Sequence, residues 1–141
     1  MSKLLSICSL LILLISSSCD KTSPQCIPGT VVGTTCTDGY LIQVDEEYPI
    51  GQPLEFKGDG GTGNPLPGPT ATPATYTNVI EVFGLHDPDI MRGKQLYFQL
   101  REAEADDALL HYCTANVIWY TAPRFVVTNY AATSCYAFAA E

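Results

Sequence analysis

Basic side chains are scarce in this chain, with seven Lys and Arg against fifteen Asp and Glu and a formal charge of −8 at pH 7. They are also scattered, and no lysine–arginine cluster exists anywhere. A nucleic-acid binder needs a basic stripe to displace phosphate counterions, so no nucleic-acid partner is expected. Docking onto anionic lipid by charge is disfavoured for the same reason. Histidine is rarer still: His86 and His111 are the only two, and neither has a second ligand at metal-binding spacing. The HDPD stretch 86–89 reads as a turn around Pro88. The acidic EAEADD stretch 102–107 lacks the glycine and terminal glutamate of a calcium loop. No G-x-S-x-G occurs, and GDGGTG (58–63) lacks the lysine–Ser/Thr pair and following helix of a phosphate loop. The reading is therefore no enzyme, no metal and no cofactor. No apolar stripe of 3.6-residue period appears either, which argues against a helical fold.

What is present begins with an address. Lys3 supplies a positive charge, Leu4 to Ile15 is a mostly apolar run, and Ser16-Ser17-Ser18 precedes Cys19. This is the layout of a secretory signal. The run is too short for a permanent span, which needs about 20 apolar residues, and no later stretch approaches that length. Ile15-Ser16-Ser17-Ser18-Cys19 resembles the lipobox of bacterial lipoproteins, with Ser16 where leucine is usual. The resemblance covers only the first residues. It implies cleavage before Cys19, acylation of that cysteine, and a protein held by its lipid in the bacterial cell envelope, with the outer membrane as the expected location. Loss of Lys3 with the signal takes the formal charge from −8 to about −9.

The cysteines agree with this reading. Of the six, Cys8 leaves with the signal and Cys19 is taken up by lipid, leaving Cys26, Cys36, Cys113 and Cys135. An even set suits two disulfides in an oxidising compartment. If residues 30–35 are extended, Cys26 and Cys36 stand up to about 33–36 Å apart. A disulfide needs Cα atoms roughly 5.5–6 Å apart, so each early cysteine should bridge to a late one. Cys26–Cys135 and Cys36–Cys113 are the favoured pairs.

The expected organisation is a signal at 1–18, a tether at 19–25 and one β domain at 26–141. Thr30 to Thr35 and Tyr40 to Val44 flank Asp38-Gly39, a strong hairpin dipeptide, and should pair with Tyr40, Ile42 and Val44 on one face. Glycine, proline and threonine then dominate, and residues 57–75 read as a long flexible loop. Further strands are expected at 78–83, at 94–101 with Leu96, Phe98 and Leu100 alternating inward, at 112–120, at 124–128 and at 135–138. The fold class is all-β: a small disulfide-stapled barrel or sandwich of five to seven strands. An OB-type barrel would fit the hairpin, the long loop and the later strands.

Aromatic side chains are the candidate contacts. Tyr97 falls on the polar face of its strand beside Arg101, while Trp119 and Tyr120 are consecutive, so one ring should face outward. The plainer reading, which puts Trp119 in the core and Tyr97 over a sheet edge, is preferred to ligand contact. The leading expectation is a non-catalytic binding or interaction module for an envelope protein or glycan, with Tyr97, Arg101, Trp119 and Tyr120 as ligand contacts. The alternatives are an inhibitor or accessory subunit of a secreted hydrolase, and a structural envelope lipoprotein.

Overall fold

A computed structural model describes residues 25–59, 66–107 and 118–136. Six strands form: β1 (Ile27–Thr34), β2 (Tyr40–Val44), β3 (Gln52–Phe56), β4 (Ala74–Phe83), β5 (Gln95–Glu102) and β6 (Arg124–Ala131), with no α-helix among the described residues. The expected hairpin is present as antiparallel β1 and β2, with Thr34 opposite Tyr40. Its turn depends on Asp38, which adopts a left-handed φ of 58° that Asp tolerates better than most residues.

The pairing order is β2-β1-β5-β6-β4, and β4 pairs back onto β2, so five strands close into a barrel. β6 runs parallel to β4 and the other pairs are antiparallel. That ring, with the last strand parallel to the third barrel strand, is the strand order of an OB-type barrel. β3 is an addition to it. Val79 pairs with Gln43 of β2 and also with Gln52 of β3, so β3 lies on the opposite edge of β4 from β2.

Alternation explains which side chains fill the barrel. Ile42, Val44, Ile80, Val82, Leu96 and Phe98 are all buried in one cluster, with Tyr40 and Leu100 packed against it. Each fully buried side chain of this kind contributes roughly 1.5–3 kcal/mol. Ordinary strand alternation sends Val31 and Val32 to opposite faces, and a bulge interrupts the β1–β2 register between Val31 and Gly33. Val31 joins the barrel interior, whereas Val32 joins a second cluster with Leu41, Leu54, Phe56 and Val79. Phe56 can lie on β1 only because residue 33 is glycine: a Cβ there would stand 2.5 Å from its ring.

Four segments differ from the sequence reading. β3 was not expected, and β4 begins at Ala74 rather than near Asn78. Asn78 explains how β4 continues through that point. With φ of 50° it accepts a hydrogen bond from Gly51 N at 2.7 Å and donates to the Val44, Asp45 and Tyr48 carbonyls at 3.2, 2.9 and 2.9 Å. It thereby fastens the β2–β3 connection to a bulged β4. Residues 118–120 are not a strand, and Trp119 is 68% exposed rather than in the core. Cys135 and Tyr136 form a 3₁₀-type turn in place of the expected strand, and residues 137–138 of that strand lie outside the described residues.

Both ends of the Gly/Pro-rich segment are tied to the barrel. Arg92 Nη2 meets both oxygens of Asp59 at 2.7 and 2.6 Å, while its Nε and Nη1 donate to Val32 O and Pro69 O. The Arg92 backbone N–H reaches Pro67 O, and Leu66 is buried in the barrel cluster. Cys26 and Cys135 are disulfide-bonded as expected, with Cα atoms 5.7 Å apart. Cys36 is also disulfide-bonded. Cys113, its expected partner, lies outside the described residues, as does Cys19.

Candidate functional site

The candidate contacts read from the sequence fall on separate parts of the fold. Tyr97 is half-buried on β5, between Pro28 of β1 and Ala131 of β6. Arg101 shares its strand face but stands four residues on, about 13 Å away in an extended strand. Trp119 and Tyr120 belong to the segment that runs beside β3, where Gln52 Nε2 donates to Thr121 O. Tyr120 stacks on Phe56 with ring centroids 5.7 Å apart. Its hydroxyl accepts from the Lys57 and Gly58 N–H groups at 3.0 Å each and donates to Gly58 O. Burial pushes this phenol's pKa up, against the lowering effect of the two N–H donors. Tyr120 is thus engaged in holding the chain after β3, while Trp119 beside it is the outward ring.

A different set of residues converges on a cleft of about 1110 Å³. Three connections meet there: the β1–β2 turn, the β4–β5 segment and the start of the β5–β6 segment. They bring Asp38, Asp87, Asp106 and Asp107 to the rim with Tyr40 and His86. Leu66, Leu85, Ile90 and Val126 supply apolar lining below them. The volume lies slightly above the range of about 300–1,000 Å³ common for small-ligand sites. Among the described lining residues there is no lysine or arginine.

The electrostatics of the rim follow from local bonding. Burial raises the Tyr40 phenol, and the nearby carboxylates of Asp38 and Asp87 raise it further, with a contribution from Tyr130. Asp107 is neutralised by Arg101, whose Nη1 and Nη2 each approach a carboxylate oxygen at 2.6 Å. That hydrogen-bonded pair, with the Glu104 N–H as a further donor, lowers Asp107 to about 2. Asp87 accepts from the Asp89 N–H at 2.8 Å, and Lys94 Nζ is 3.9 Å from its other oxygen. Asp106 and His86 are exposed. Thr34 Oγ1, on another lining residue, is the buried side-chain oxygen among the described residues that has no hydrogen-bond partner.

A second polar network lies beside the β1–β2 turn. Glu81 is 2% exposed, with Thr37 Oγ1 donating to Oε1 at 2.7 Å and Arg124 Nε to Oε2 at 2.8 Å. A carboxylate only accepts, so the Thr37 proton points to Glu81. The 2.8 Å contact between the Thr35 and Thr37 hydroxyls then requires Thr35 to donate, and Thr35 in turn accepts from Gly39 N. This directional chain braces the turn that presents Asp38. The parallel register that sets Glu81 opposite Arg124 makes it possible.

The sequence reading missed Asp38, Tyr40, His86, Asp87 and Asp106 as a group. The available signal was that three separate turn segments, 38–39, 86–89 and 102–107, each carried acids. Only the closed strand order brings them together. Neither a family model nor a curated protein matches the chain.

Proposed function

We propose that the chain is a lipid-anchored cell-envelope protein whose β domain is a non-catalytic binding module, carried on Cys19 and working through the acid-rimmed cleft. The observation that carries this reading is the convergence of Asp38, Tyr40, His86, Asp87 and Asp106 around an apolar floor. OB-type barrels commonly bind ligands between the loop joining their first two strands and the loop joining their last two. Asp38 and Asp106 stand on those two connections here.

Binding is favoured over turnover because the carboxylates best sheltered from water already have structural partners. Glu81 is held by Arg124 and Thr37, and Asp59 by Arg92. On the membrane side, the tether would enter the domain at Gln25, directly before the Cys26–Cys135 bridge. A pull on the lipid would meet a covalent fastening before it reached the β1 ladder.

Metabolic labelling with an alkynyl fatty acid, followed by membrane fractionation, tests the anchoring. The wild-type chain should incorporate label and sediment with membranes, and Cys19→Ser should do neither. A Cys19→Ser chain that is labelled and sediments like wild type would overturn the reading.

A further inference from the structure

We propose that the cleft docks a basic peptide segment of a partner protein, with its lysine or arginine side chains facing the separate carboxylates of Asp38, Asp87 and Asp106 and a neighbouring aliphatic side chain resting on the Leu85–Val126 floor. This deepens the binding-module reading and rests on it. The occupant follows from complementarity at two levels. The rim is acidic: Arg101 holds Asp107 and Lys94 Nζ stands 3.9 Å from Asp87, but no lysine or arginine is among the described lining residues, and the whole chain carries −8, so a cationic segment is attracted at long range and at contact. The apolar floor adds what a free cation would not use.

Other occupants fit less well. A second copy brings the same negative charge to the rim. Phosphate-bearing nucleic acid or anionic lipid meets Asp38, Asp87 and Asp106 and a chain charge of −8. A sugar is best received on an exposed ring, yet Tyr40 is half-buried and the exposed Trp119 does not line the cleft. For a bare metal ion, no group of three His, Cys, Asp or Glu side chains converges among the described residues.

The test uses the full-length chain in non-ionic detergent and a dansylated Lys-Leu heptapeptide as probe. Its Glu-Leu counterpart, spermine and chitotetraose serve as comparators. Fluorescence anisotropy should report binding of the Lys-Leu peptide that weakens as salt rises from about 0.05 to 0.5 M. Each of Asp38→Asn, Asp87→Asn and Asp106→Asn should weaken binding about two- to fivefold, and the triple variant more than about tenfold. Asparagine preserves the left-handed φ at 38 and the turn hydrogen bond at 87, so the fold should survive. If the triple variant melts early, the single reversal Asp106→Lys, at an exposed position, carries the test and should also weaken binding.

Carbodiimide coupling locates the site, since it joins the peptide amine directly to a touching carboxylate. Adducts should concentrate on Asp38, Asp87 and Asp106. Equal coupling to remote acids such as Glu46 and Glu47, or unchanged affinity in the Asp106→Lys chain, would overturn the inference. Binding of chitotetraose in the cleft in place of the peptide would overturn the inference too, but would leave the binding-module reading standing. If neither probe binds and the cleft aspartates couple no faster than remote acids, the inference fails with that reading's cleft.

Discussion

Removing the Cys26–Cys135 bridge, by Cys26→Ala with Cys135→Ala, should destabilise the domain by several kcal/mol and change the unfolded state as well as the folded one. The bridge spans a sequence separation of 109 residues. In the chain-entropy account, closing a loop of that length contributes about 4.7 kcal/mol, an upper bound because the Cys36 bridge left in place shortens the loop, and measured bridges commonly deliver about 2–5 kcal/mol. A domain of roughly 115 residues unfolds with an entropy near 0.24 kcal/mol/K, so the melting temperature should drop by about 10–20 °C. Thermal melts and urea titrations of the oxidised proteins read this out, with the Cys36 bridge left in place in both. The urea slope should rise, because a chain freed of its longest link exposes more surface on unfolding. A loss below about 1 kcal/mol with an unchanged slope would refute the reasoning, since the native barrel would then be holding Cys26 beside Cys135 without help from the bond.

Three further outcomes are expected. Arg124→Met should cost roughly 3 kcal/mol in urea unfolding, because it strands a carboxylate that is 2% exposed, while Glu81→Gln should cost only about 1 kcal/mol, and the reverse order would contradict the assigned network. Asn78→Ala should cost about 2–4 kcal/mol, with Asn78→Gly recovering about 1 kcal/mol by tolerating the left-handed φ of 50°. Equal melting temperatures for the two Asn78 variants would show that backbone strain plays no part there. Asp107, lowered from 3.8 to about 2 by Arg101, contributes stability that is complete above the unfolded value and lost as pH falls through the folded one. A carbon-detected NMR titration should place its midpoint near 2 in the wild type and higher in Arg101→Met, still below the ordinary value while the Glu104 N–H donates.

The parts of the fold legible in the sequence were those with strict local patterning. Leu96, Phe98 and Leu100 alternate with polar residues, and β5 formed where that alternation runs. Asp38-Gly39 marked the first hairpin, and the reach of an extended chain favoured Cys26–Cys135 over Cys26–Cys36. β3 was hidden because QPLEF is short, carries Pro53, and leads into the Gly/Pro-rich stretch, although Leu54 and Phe56 do alternate inward. The start of β4 was hidden likewise, since Ala74 to Thr77 continues that composition. Pattern reading did note that one of Trp119 and Tyr120 must face outward. It could not see that Phe56, far off in sequence, would claim Tyr120. The cleft was least legible of all, because the β1–β2, β4–β5 and β5–β6 connections meet only through the closure of β4 onto β2 and β6.

A photo-crosslinking side chain placed in turn at His86, Tyr97 and Trp119 of the envelope-anchored protein in intact cells tests the working surface most directly. His86 is an exposed residue of the cleft rim, and the other two are outward or half-buried aromatics away from it. The account predicts a discrete protein adduct from the His86 position that disappears when Asp106→Lys is added. Adducts from Tyr97 or Trp119 alone, untouched by Asp106→Lys, would contradict it.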